Sequence, residues 1–232
     1  MRKKLVVLTG AGISAESGIK TFRGNDGLWE NHRVEDVATP EAWQRNPELV
    51  LRFYNERRAQ MHQVKPNAAH LALAQLESQF DVHIITQNVD NLHERAGSTK
   101  VLHLHGELSK ARSTGDPRLV YEITGDIRLG DACEKGFQLR PHIVWFGEMV
   151  PMIEPAADLV RQADLLMIIG TSMQVYPAAG LVQYAHPEIK KYYIDPEAFA
   201  IHTVQNLEVV CEKAGVAMPR LMKQFIAEFG NN

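Results

Sequence analysis

His105 closes a short apolar run, Lys100–Leu104, and Gly106 follows it. An imidazole with its ordinary pKa of about 6.5 accepts a proton at neutral pH without extensive tuning, so a histidine at a strand end is a candidate general base. The competing role is structural, because the chain has 10 histidines and His103 shares the parity of His105 two residues earlier. Position at a strand end favours the base. Both rings are expected on one side of the strand. Asn88 and Asp90, two residues apart, present an amide and a carboxylate to one side of an extended segment. Such groups suit ribose hydroxyls and a carboxamide, with turn formation and capping as the alternative. Gly10-Ala11-Gly12 sits between the apolar run Leu5–Leu8 and a helix start carrying Ser14 and Glu16. Strand, glycine turn and helix N-terminus bring backbone and first-turn N–H groups to a pyrophosphate. Phe22 and Arg23 add an aromatic and a cation just past that turn. Gly170-Thr171-Ser172 offers a second close-approach turn with hydroxyls, or an ordinary βα loop with a Ser or Thr cap.

These residues need elements to hold them. Strands alternating with helices predict an α/β fold, a Rossmann-like parallel sheet with helices on both faces. Helices are expected over 47–64, over 67–80 with Leu71, Leu73, Leu76 and Phe80 packing inward, over 154–162 and over 219–229. Strands are expected at 82–86, 100–104, 142–146, 165–169 and 191–194. Residues 109–140 are polar and rich in turn residues, with a short strand candidate at 119–124, and read as a small inserted lobe. The core is then 1–108 and 141–232 of a single catalytic domain. Gly10, Gln87, His105, Gly147, Gly170 and Asp195 all follow strands, and ligands of open α/β sheets bind beyond the carboxyl ends. The six are expected to line one site.

Composition narrows the classes. A net charge of −3 and a pI of about 6.4 give no electrostatic footprint for nucleic acid. No apolar run approaches the ~20 residues that span a bilayer, and Met-Arg-Lys-Lys runs directly into the first strand, so no leader and no membrane association are expected. Two cysteines, Cys133 and Cys211, make neither a disulfide framework nor a four-thiolate site. A cytoplasmic monomer is the expectation.

TGAGIS-x-x-SGI-x-x-FR, TQN-V-D, LHG, FGE-x-x-P and GTS-x-x-V-x-P occur between Leu8 and Pro177 in the order and spacing of the sirtuins, the NAD-dependent protein deacylases, which the chain resembles over nearly its whole length. The resemblance implies that NAD is consumed. The substrate's acyl oxygen attacks C1′ of the nicotinamide ribose, nicotinamide leaves, and water finally releases lysine and O-acyl-ADP-ribose. It implies His105 as catalytic base and Asn88 beside it. Gly10, Ala11 and Gly12 would cradle the pyrophosphate, and Ser14, Phe22 and Arg23 would border the reactive end. Gln87, Asn88 and Asp90 would hold the nicotinamide ribose and carboxamide, and Gly170, Thr171, Ser172 and Asp195 the adenosine end. Val144, Phe146, Gly147 and Glu148, with Met173 and Val175, would pair with the backbone of an acylated-lysine substrate as flanking strands.

Departures from the family matter too. Many sirtuins carry two C-x-x-C pairs in the inserted lobe, whereas 109–140 holds only Cys133, so no zinc is expected. Lys20-Thr21 replaces a frequent Pro-Asp, Asp195 a frequent Asn, and Glu212 lies near a frequent Gly. Tyr54 and Arg57 share a helix face and match the Tyr-x-x-Arg that some sirtuins use for succinyl, malonyl or glutaryl groups. An arginine fork and a hydroxyl suit a terminal carboxylate, which implies a desuccinylase and demalonylase that also deacetylates. The alternatives are protein mono-ADP-ribosyltransfer from the same pocket and a non-catalytic NAD-binding regulator. Hydride transfer is disfavoured, since G-x-G-x-x-G and its ribose-binding acid are not matched.

Overall fold

The first apolar run becomes β1 (Lys4–Thr9), whose five residues Leu5–Thr9 are all buried. The computed structural model describes residues 2–20, 28–29 and 32–229. After β1 come α1 (Gly12–Ala15), the hairpin β2 (Leu28–Trp29) and β3 (His32–Arg33), then α2 (Val34–Val37), α3 (Pro40–Arg45) and α4 (Pro47–Gln63). Next are α5 (Ala68–Leu76), β4 (Asp81–Thr86), α6 (Leu92–Ala96) and β5 (Val101–His103). The chain then leaves for β6 (Gly106–Ser113), β7 (Val120–Glu122) and β8 (Leu139–Ile143). It returns through α7 (Ile153–Arg161), β9 (Leu165–Ile169), a 3₁₀ helix over Ala178–Tyr184, β10 (Lys190–Ile194), β11 (Leu207–Val210) and α8 (Ala214–Phe229).

Six parallel strands form the main sheet in the order β11-β10-β9-β1-β4-β5. The chain winds outward from β1 through β4 to β5, then crosses back to β9 and winds the other way. The reversal falls between β1 and β9, and that is where a doubly wound sheet opens a crevice. Alternation along β1 assigns its faces: Leu5 and Val7 join the cluster under α5 and α8, while Val6 and Leu8 join the cluster under α7 and the 3₁₀ helix. Helices therefore cover both faces, and the fold is the α/β, Rossmann-like one. No helix among the described residues is long and apolar enough to cross a membrane.

A second sheet, antiparallel in the order β7-β6-β8, packs with α2, α3 and α4 around Phe53, Tyr54, Leu108, Ile143 and Trp145. It begins at Gly106, before the 109–140 stretch read as a lobe. The strand expected at 142–146 lies instead at Leu139–Ile143 and belongs to this sheet. Leu71 also departs from expectation: it is 46% exposed, while Leu73 and Leu76 are buried. Asn67 caps α5 rather than beginning it, and Pro219 lies inside α8 rather than starting it.

Gly106 joins the two sheets. Its φ is +83°, and a Cβ there would stand 1.9 Å from the His142 carbonyl oxygen. Neither the backbone conformation nor the neighbouring carbonyl accommodates a side chain. Gly106→Ala is expected to destabilise the protein by about 2–4 kcal/mol in urea denaturation; an unchanged midpoint would contradict this junction.

Candidate active site

One cavity of about 730 Å³ lies beyond the carboxyl ends of the parallel strands, within the ~300–1,000 Å³ usual for ligand sites. Gly10, Gln87, His105, Gly147, Gly170 and Asp195 all line it. Five of them follow strands of the main sheet, whereas Gly147 arrives from the antiparallel one.

The floor is a contact between two turns at the switch point. The Gly12 N–H donates to the Gly170 carbonyl at 2.8 Å, and the Gly10 N–H to the Ile169 carbonyl at 3.0 Å. A Cβ on Gly12 would sit 2.7 Å from Gly170 Cα, and one on Gly170, whose φ is +64°, would sit 2.2 Å from Ile13 N. Ala11 lines the cavity between the two glycines. The helix that follows is one turn long, and its early N–H groups are engaged: Ile13 donates to the Gly10 carbonyl and Ser14 to that of Ala11. The expectation that free first-turn N–H groups meet the phosphates is thereby corrected. Among the described residues, the cations that line the cavity are Lys20, Arg57 and Lys213. Phe22 and Arg23 lie outside the described residues.

Ser14 is not a cap. Its hydroxyl donates to Asp90 Oδ2 at 3.1 Å and accepts from Asn88 Nδ2 at 3.1 Å, so one buried oxygen orients both predicted ribose-binding side chains. Asp90 Oδ1 accepts the Leu92 N–H. Burial raises the Asp90 carboxyl against these bonds from Leu92 and Ser14. Gln87 donates to Thr171 Oγ1 at 3.2 Å and clasps the β4 turn to the β9 turn. Asp195 is buried at the end of β10 and accepts the Glu197 N–H, while Ser172 lines the wall between them.

The two histidines of equal parity separate in role. His105 Nδ1 lies 3.1 Å from the Gln87 carbonyl. A carbonyl only accepts, so the proton sits on Nδ1 and Nε2 keeps its lone pair. Burial lowers the pKa of His105, the Gln87 bond opposing it only in part, so the ring is neutral at pH 7. His103 Nδ1 approaches the Asn88 carbonyl at 3.1 Å, and its Nε2 meets Glu94 at 2.8 Å. Burial alone would depress His103, but the Glu94 bond and charge outweigh it and raise the pKa. His103 therefore braces, whereas His105 lines the cavity.

Along the other wall, Tyr54 and Arg57 of α4 both reach the cavity. Tyr54 is fully buried, with its hydroxyl beside Trp145. Burial raises the Tyr54 pKa and lowers that of Arg57, whose guanidinium lies over Phe53.

The two segments expected to flank a substrate backbone are irregular in this structure. Neither 144–148 nor 173–175 is a strand. The N–H groups of Val144, Trp145 and Phe146 donate to the His105 carbonyl, Glu148 and the Ala38 carbonyl. Met173, with φ +57°, packs against the cluster under α7 and does not line the cavity, whereas Val144, Phe146, Glu148 and Val175 do. Glu148 is structural as well: Arg140 reaches it at 2.7 Å, Arg112 at 3.2 Å and the Trp145 N–H at 2.8 Å. Burial works to raise its carboxyl, and the Arg140 and Trp145 bonds overcome this and hold it below its usual range. Trp145, which sequence reasoning did not single out, forms cavity wall beneath the Arg140 guanidinium, 3.3 Å from its ring centroid. Trp29, Met61 and Leu108 extend that apolar wall, and no sequence signal marks them.

Residues 10–177 match the sequence pattern of the Sir2 family. The chain belongs to the Sir2 family. It is 58% identical over 224 residues to an "NAD-dependent protein deacylase" of Helicobacter pylori (strain ATCC 700392 / 26695), covering 97% of this chain and 98% of the relative. A Bacteroides thetaiotaomicron protein of the same description is 52% identical, with 97% and 98% covered. Among solved structures, a Sir2 homolog–NAD complex superposes with TM-score 0.88 at 40% identity, over 99% of this chain and 91% of that one. A Sir2 complex with a deacetylated peptide and 3′-O-acetyl ADP-ribose superposes with TM-score 0.80 at 32% identity, over 96% and 94%.

Removing the Glu148 carboxylate leaves two partly buried guanidinium groups without it. Glu148→Ala is expected to lose about 2–4 kcal/mol of stability in chemical denaturation, and Glu148→Gln less, because its amide oxygen still accepts the Trp145 N–H. Wild-type stability in both variants would contradict a structural role.

Proposed function

We propose that this Sir2-family chain removes acyl groups from protein lysines, with NAD as a consumed cosubstrate. The observation that carries the reading is the placement of His105: its Nδ1 is held by the Gln87 carbonyl, which leaves the lone pair on Nε2, and the ring lines the cavity that also contains the glycine floor and the Ser14–Asn88–Asp90 set. The described residues fit NAD. Close-packed glycine turns admit a pyrophosphate, and an amide, hydroxyls and carboxylates suit two riboses. NAD supplies an anomeric carbon from which nicotinamide departs. His105 Nε2 takes a proton from a ribose hydroxyl, Asn88 and Asp90 orient that ribose, and Asp195 borders the adenosine end. The apolar wall of Trp29, Met61, Leu108 and Trp145 excludes water from the acyl-lysine, which enters beside Val144, Phe146, Gly147 and Val175.

The substrate range of this reading includes succinyl and malonyl groups as well as acetyl. Tyr54 and Arg57 support it, because a buried phenol and a partly desolvated guanidinium on one wall suit a terminal carboxylate. No zinc is assigned to the lobe, where Cys133 bonds to Ser113. A cytoplasmic setting accompanies the proposal.

Arg57→Met is expected to abolish desuccinylation while leaving deacetylation within a few-fold, measured on matched peptides; equal loss of both activities would remove the acidic-acyl assignment. His105→Ala is expected to lower kcat/KM by about 10²–10⁴ while NAD still binds. Because burial depresses the His105 pKa, the basic form persists below the ordinary histidine value. The acidic limb of wild-type kcat/KM should therefore fall below pH ~6.5, and a limb above neutrality would contradict the assignment.

A further inference from the structure

Behind Asn88, outside the cavity, two histidines are buried side by side. The backbone N–H of Asn67 donates to His70 Nδ1 at 3.3 Å. A nitrogen that accepts carries no proton, so the proton of neutral His70 is on Nε2. Thr9 Oγ1 donates to Thr86 Oγ1 at 2.8 Å, so at its 3.1 Å contact with His93 Nε2 it accepts the ring N–H, and His93 Nδ1 keeps a lone pair. The two remaining nitrogens, His70 Nε2–H and His93 Nδ1, are a donor and an acceptor. Both are buried without a hydrogen-bond partner among the described residues, on rings whose centroids are 4.9 Å apart at 60°. Leaving both a buried donor and a buried acceptor unsatisfied is costly.

We propose that His70 and His93 form one neutral hydrogen-bonded relay, Asn67 N–H to His70 to His93 to Thr9 to Thr86, and are positioning residues for the cosubstrate wall. The relay ends where Thr86 Oγ1 accepts the Asn88 N–H at 3.0 Å. At its start, the Asn67 side-chain amide donates to the Ile13 carbonyl at 2.7 Å and to Ser17 Oγ at 3.0 Å, holding the segment after the glycine turn. One chain of bonds thus connects the two segments that carry Ser14 and Asn88. Neutrality is required, because a doubly protonated ring has no acceptor to offer. Burial supplies it: His70 is pushed down to about 4, with Glu94 opposing, and His93 is pushed well below its ordinary value, with His70 and His103 adding to the effect. Asn88's part in this rests on the reading under Proposed function.

The test combines imidazole ¹⁵N NMR on the full chain at pH 7 with steady-state kinetics. The wild type is expected to show both rings neutral with the proton on Nε2. His93→Phe keeps a ring but neither nitrogen, and kcat/KM for NAD is expected to fall about tenfold, with KM for the acyl peptide unchanged. His93→Gln retains an N–H toward Thr9 and is expected to recover most of that loss. A cationic ring, a proton on His93 Nδ1, a folded His93→Phe with wild-type kinetics, or a His93→Gln no better than His93→Phe would overturn the relay. Should His93→Phe fail to fold, the wild-type tautomers decide. Expected tautomers in a wild type inactive on acyl peptides would uphold the relay and overturn the functional reading instead.

Discussion

Two glycine turns press against each other where the sheet reverses direction, and the remaining parts of the site take their places from that contact. The β1 turn and the β9 turn approach so closely that a Cβ on Gly10, Gly12 or Gly170 would lie within 2.7 Å of backbone. Backbone thus meets backbone at the crevice floor, with no side chain between them. The same contact sets how far Thr171 stands from Gln87, and hence how the β4 turn closes over the crevice. It also aims the single turn of α1 so that Ser14 reaches Asn88 and Asp90 together.

Above this floor the polar groups are organised by burial rather than by exposed charge. Backbone carbonyls at the end of β4 choose tautomers: that of Gln87 leaves His105 basic at Nε2, and that of Asn88, with Glu94, makes His103 a brace. Glu148 performs a comparable task on the opposite wall, where two arginines and a backbone N–H fix the loop that carries Trp145. His103 and Glu148 are each locked by two or more partners and His105 by one, as a site that must hold a cosubstrate and an acyl chain in register requires. The antiparallel sheet contributes the apolar wall, so both sheets are needed to close one cavity.

Strands β1 and β9 could be read from LVVL and LLMII because parallel strands covered on both faces are continuous apolar runs. The residues at their ends could be read for the same reason: in a parallel sheet, strand ends are where ligands gather. Strand β6 escaped, since GELSKARS mixes buried and half-buried positions, with a break in the alternation at Ser109–Lys110 and no apolar run, and β11 is a short edge strand. Leu71 fits the helical period yet lies on the exposed side of α5. Ser14 reads locally as part of a helix start; its partners lie 74 and 76 residues away and carry no local signal. Glu148 and Met173 occupied the right motifs, but an ion cluster and a positive φ decided where their side chains went.

On the proposed function, NAD is consumed as an acyl acceptor within this cavity. The most direct measurement is mass spectrometry of the products formed from NAD and an acylated lysine peptide. The predicted result is nicotinamide, free-lysine peptide and O-acyl-ADP-ribose in equal amounts, with the acyl group's mass carried on the ADP-ribose. ADP-ribose retained on protein, or peptide left fully acylated while NAD is consumed, would contradict it.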